Sequence, residues 1–73
     1  METRAEMNYT YDMILQKYPG YQYILQSQVG TKVYDFTANN DSEAMRIAQA
    51  FMSSWSSVRI TLKGEDGQYK EGN

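Results

Sequence analysis

Met7-Asn8-Tyr9-Thr10-Tyr11-Asp12-Met13-Ile14-Leu15-Gln16-Lys17-Tyr18-Pro19-Gly20-Tyr21 satisfies two periods at once. Met7, Tyr11, Ile14, Leu15 and Tyr18 recur at helical spacing, whereas Met7, Tyr9, Tyr11, Met13 and Leu15 alternate as a strand does. Upstream, Thr3-Arg4-Ala5-Glu6 has capping-box spacing, and Lys17 followed by Pro19 and Gly20 makes a helix stop. The strand reading has its own closure, because Tyr18-Pro19-Gly20-Tyr21 fits a type II turn. With both a start and a stop in place, the sequence favours a helix over residues 3–17. The strand remains the open alternative.

Downstream the signals are sharper. Tyr21 to Val29 and Lys32 to Ala38 are rich in β-formers and flank Gly30-Thr31, which suits a two-residue type II′ turn. That turn sets Ser27 opposite Tyr34 and Leu25 opposite Phe36. Tyr23, Leu25, Tyr34, Phe36 and Ala38 then share the core face, and Gln22, Gln26, Gln28 and Asp35 the other. Asn40-Asp41-Ser42-Glu43 supplies an N-cap with a Glu three residues on, and acidic charge where the helix dipole is positive. A helix is expected from Asp41 to Trp55, with Ala44, Ile47, Ala48, Phe51 and Trp55 on one stripe and Met45 and Met52 on its shoulder. Val58 to Lys63 alternates as a half-buried strand, and Gly64-Glu65-Asp66-Gly67 turns the chain into a short edge strand at Gln68-Tyr69-Lys70.

The expected fold is therefore α+β: a small two-layer domain with a β-β-α-β core and one helix packed on the sheet, preceded by an N-terminal helix. A right-handed crossover puts the third strand beside the first, giving a sheet order of 2-1-3. One domain accounts for residues 1–73, with an N-terminal segment over 1–20, the core over 21–70 and a frayed tail at 71–73.

Composition narrows the function classes. At 73 residues the chain can bury only a thin core, and with no Cys and no His it has neither a disulfide nor a His/Cys metal site to reinforce it. The same absences remove the usual acyl-transfer and zinc-hydrolase templates, and the glycine spacing matches no phosphate loop or dinucleotide fingerprint. No catalytic residue, cofactor or metal site is expected. Net charge is −2 and the pI about 4.9, with seven scattered cations, so a nucleic-acid partner is not expected. No apolar run approaches the ~18 residues of a membrane span, and no signal-peptide pattern opens the chain, so a cytoplasmic protein without membrane contact is expected.

Aromatics are abundant: seven Tyr, two Phe and one Trp. Trp and Tyr are enriched at binding hot spots, and flexible Met suits adaptable surfaces. The candidate interaction surface is Met45, Met52 and Trp55 with Tyr9, Tyr11 and Tyr18. The reading that follows is a small non-enzymatic protein–protein interaction or regulatory accessory protein, expected as a twofold homodimer because a thin core and free strand edges both favour self-association. The alternative is a nucleic-acid accessory protein using the open sheet face or the tyrosines as stacking platforms.

Val33-Tyr34-Asp35-Phe36, then Glu43-Ala44-Met45-Arg46-Ile47-Ala48, a serine-rich exit and a closing strand give Tyr21 to Leu62 a further character. The stretch resembles small uncharacterised β-β-α-β proteins of bacteria and tailed phages. The resemblance implies a phage or bacterial origin and brings no active site with it.

Overall fold

The computed structural model describes residues 11–55 and 57–70. Tyr9 and the capping-box spacing at Thr3 to Glu6 lie outside the described residues.

The ambiguous stretch is a strand. β1 (Tyr11–Tyr18) runs into β2 (Gln22–Ser27) and β3 (Lys32–Thr37), α1 (Asp41–Phe51) crosses over, and β4 (Val58–Lys63) and β5 (Tyr69–Lys70) complete the sheet. The strand order is β3-β2-β1-β4-β5, with β1 antiparallel to β2 and parallel to β4. Both the expected helix over 3–17, as far as it falls within the described residues, and the 2-1-3 core are thereby overturned. The strand that closes the chain does not lie beside the first strand of the Gly30 hairpin; β1 is inserted between them.

The physical reason is visible in β1 itself. Met13 and Leu15 are buried under α1, while Ile14, which fits the helical stripe, sits half-buried on the opposite face of the sheet. A helix would have placed Ile14 and Leu15 side by side. A strand separates them, and in return Met13 to Gln16 are paired with β2 on one side and β4 on the other. Parallel pairing with β4, Met13 opposite Ile60 and Leu15 opposite Leu62, belongs at the buried centre of a sheet.

Pro19-Gly20 is then a hairpin loop. Gly20 at φ 84 fits the second central position of the expected type II turn, and Tyr21 follows it at φ 58. A ring-bearing residue in the left-handed region is strained, by roughly 1–2 kcal/mol. Two contacts hold it there: its carbonyl accepts from the Ala38 N–H at 3.2 Å, and the Lys17 ammonium lies 4.7 Å from its ring centre.

The second hairpin keeps its expected faces but not its expected register. Tyr23 faces Phe36 and Leu25 faces Tyr34, two residues away from the pairing a Gly30-Thr31 turn would impose. The connection is a longer loop: Gly30 donates to the Ser27 carbonyl at 3.0 Å, Ser27 donates to the Thr31 carbonyl at 2.9 Å, and Gly30 has φ 93. Gly30 thus closes a three-residue loop instead of opening a two-residue one. A bulge at Val33 absorbs the mismatch, since Gln26 pairs with Lys32 while Leu25 pairs with Tyr34. A slip of two residues preserves which side chains point inward.

α1 starts where the sequence says and stops earlier. The Asn40 side chain accepts from the Glu43 N–H at 2.8 Å, and the Glu43 carboxylate accepts from the Asn39 N–H at 2.9 Å. The helix ends at Phe51, with Met52 as its C-cap, so Trp55 lies beyond it. Its buried face is Ala44 and Ala48, extended by Met52. The small alanines let the backbone of α1 approach the sheet over Met13, Leu15, Tyr23, Leu25, Ile60 and Leu62, which with α1 form the core.

Candidate interaction surface

The two ends of α1 are held to the sheet by different chemistry. At the amino end, the buried Tyr23 donates its hydroxyl to Asp41 at 2.7 Å, and the Lys17 ammonium contacts the same carboxylate oxygen at 3.1 Å. The hydrogen bond from Tyr23, followed by that from Lys17, holds the Asp41 carboxyl below its usual range, against a partial burial that acts the other way. Burial first, then the bond to Asp41, pushes the Tyr23 hydroxyl far above its ordinary value. Lys17 is raised in turn, chiefly by its hydrogen bond to Asp41. One carboxylate therefore ties the first turn of α1 to both β1 and β2.

At the carboxyl end the contacts are between flat rings. Trp55 stacks on Tyr11 with ring centres 5.2 Å apart and planes 7° from parallel, and Trp55 is still 53% exposed. Tyr11 is fixed from below, its N–H donating to the Ser57 carbonyl at 2.9 Å. One helical turn earlier, Phe51 stacks on Tyr34 at 4.4 Å and 3°. That pair continues inward through Phe36, 5.4 Å from Tyr34, to Tyr23, 5.6 Å from Phe36. The outer members of this aromatic row remain open, Tyr34 at 38% and Phe51 at 43%.

The expected surface residues are consequently dispersed. Trp55 and Tyr11 come together. Met52 is buried in the core and is no part of a surface: the shoulder of the helix stripe is where α1 meets the sheet. Met45 is half-buried against the same core. Tyr18 is exposed at the opposite end of β1, beside the Pro19-Gly20 loop. Phe51, expected inward, is instead at the flank. The Phe51–Tyr34 pair was not among the expected surface residues; the signal for it was the edge position of the second hairpin strand, where a core-facing ring has a neighbour on one side only.

The open sheet face carries Ile14 and Ile24 among mainly polar side chains, and its charges are internally paired. Arg59 meets Asp12 at 3.0 Å and Lys32 meets Asp35 at 3.0 Å, while the Lys63 ammonium lies 5.3 Å from the centre of the Tyr69 ring. Among the described residues no group of His, Cys, Asp or Glu could hold a metal ion, and no helix is long and apolar enough to cross a membrane.

Compared with protein-family models, curated proteins and solved structures, the chain matches none.

Proposed function

We propose that the chain is a non-catalytic protein–protein interaction module that meets its partner at the carboxyl end of α1. The observation that carries this is the Trp55–Tyr11 stack: a tryptophan half open to solvent yet already held flat against a second ring. Trp and Tyr dominate binding hot spots because they bury large apolar area around a polar tip. A ring that is stacked before binding loses little conformational freedom on binding, so more of its contact energy appears as affinity. The polar open face supports this reading over nucleic-acid binding, because Arg59 and Lys32 each already have a carboxylate partner.

The test is site-specific photocrosslinking in cells of the source organism. A photoreactive phenylalanine analogue at position 54, beside an intact Trp55, should give a discrete adduct with one other protein, and the same group at position 26, on the open face, should not. Equal labelling at both positions, or an adduct containing only this chain, would overturn the proposal.

A further inference from the structure

Two exposed tyrosines have a cation over their rings: the Lys17 ammonium lies 4.7 Å from the centre of Tyr21, and the Lys63 ammonium 5.3 Å from that of Tyr69. Tyr18 has none and stands at the end of β1 away from Tyr11 and Trp55. The exposed rings at the carboxyl end of α1 also have none among the described residues, and there the electrostatics favour one. Trp55 and Phe51 each rest on a second ring and remain open to water. A ring face is negative and attracts a cation. α1 brings the negative pole of its dipole to the same place, and its last turn holds no basic residue to balance it. Arg46 lies more than a turn before Phe51 on the helix. Arg59 and Lys32, on the strands beside these rings, are paired with Asp12 and Asp35.

We propose that the partner segment received at the carboxyl end of α1 is basic and lays an arginine over the open face of Trp55. The inference rests on the reading of this end as an interaction surface and adds the chemistry of what it binds. Charge complementarity selects the occupant: bare ring faces, an unbalanced helix pole and a chain of net charge −2 all favour a cation. Arginine fits better than lysine, because a planar guanidinium stacks on a flat ring and is less strongly hydrated than an ammonium. Its N–H donors also suit the carbonyls that end a helix. Tyr11 already holds Trp55 flat, so the guanidinium meets a fixed platform. An acidic segment would be repelled by the same pole.

Trp55 is the chain's one tryptophan, so its fluorescence reads this site alone. The probes are short peptides that differ only in a central arginine, citrulline or glutamate set between leucines; citrulline keeps the planar shape and removes the charge. At low salt the arginine peptide should change Trp55 emission saturably and bind about tenfold tighter than the citrulline peptide, with the glutamate peptide silent. Ala50→Lys tests the helix pole separately, because Ala50 is an exposed residue of the last turn and touches neither stack. On a chain shown to be folded by circular dichroism, it should cut the arginine peptide's advantage severalfold and leave citrulline binding unchanged. Equal binding of arginine and citrulline, binding of the glutamate peptide, no saturable change, or an advantage that Ala50→Lys leaves intact would each overturn the proposal. Arginine binding seen only after Arg4→Gln would assign the site to the chain's own first residues and overturn it too. The photocrosslink at position 54 separates the two proposals. An adduct whose partner segment holds no basic residue would overturn this one and leave the interaction module standing, whereas the absence of any adduct with another protein would remove both.

Discussion

The amino end of α1 is fastened by one buried hydroxyl, one ammonium and one carboxylate; the carboxyl end rests on stacked rings that water still reaches. The first arrangement is directional and sits against the core, so it fixes how the helix is placed. The second is flat, apolar and partly solvated, so it leaves binding area available. In so small a chain the core can serve only one of these tasks, and the difference shows how the other is moved to the rim.

Substitutions can break that contrast at known points. The largest effect should come from Tyr23→Ala, which removes both a fully buried ring and the donor to Asp41; urea unfolding should show a loss of about 3–5 kcal/mol. Leu25→Ala, which empties the core beside it without touching the polar contacts, should cost about 2–5 kcal/mol. Tyr23→Phe separates the two roles of Tyr23, and should cost about 1–2 kcal/mol for the hydroxyl alone.

Acid should act on the same end. The Asp41 pKa is lowered in the folded chain, so its contribution to stability is present above the ordinary carboxylate range and is lost as pH falls through the folded value. Thermal melts of the native chain should therefore decline on acidification, and Asp41→Asn should begin less stable at neutral pH and decline less. An unchanged acid profile in Asp41→Asn would mean the clamp contributes nothing.

How much of this was legible in the sequence depended on whether the signal was local. The N-cap at Asn40 with Glu43, the alternation of Val58 to Lys63 and the faces of the Gly30 hairpin are each fixed by neighbours within a few residues, and the structure has them. The hairpin register was not legible, because Gly30 suits either a two-residue or a three-residue loop and only the bulge at Val33 distinguishes them. β1 was misread for a different reason. Its apolar residues satisfy both periods, its local hairpin with β2 competes with an equally local helix start and stop, and its second partner β4 lies more than forty residues away. Of the surface residues, Trp55 and Tyr11 are legible as exposed aromatics but not as a pair, because their contact depends on that same long-range placement. Met52 shows the converse: an adaptable side chain on a helix shoulder is a surface residue only until one knows how wide the sheet beneath it is.

Smaller effects should sharpen the contrast at the other end. Trp55→Ala should cost under about 1 kcal/mol, since the ring is half exposed and its loss is mainly one stacking contact, while abolishing the adduct expected at the carboxyl end of α1. Gln26→Lys and Thr61→Lys, on the open face, should each change stability by less than about 0.5 kcal/mol in urea unfolding.

Amide hydrogen exchange on Trp55→Ala tests most directly whether the two ends are separate in the way described. Core amides exchange through global opening and rim amides through local opening, so one experiment reads both. The account predicts faster exchange confined to Met52 through Trp55, with the amides of Met13, Leu15 and Tyr23 exchanging as in the native chain. Faster exchange throughout β1 and β2 would contradict it, by showing that the Trp55–Tyr11 stack holds the fold together.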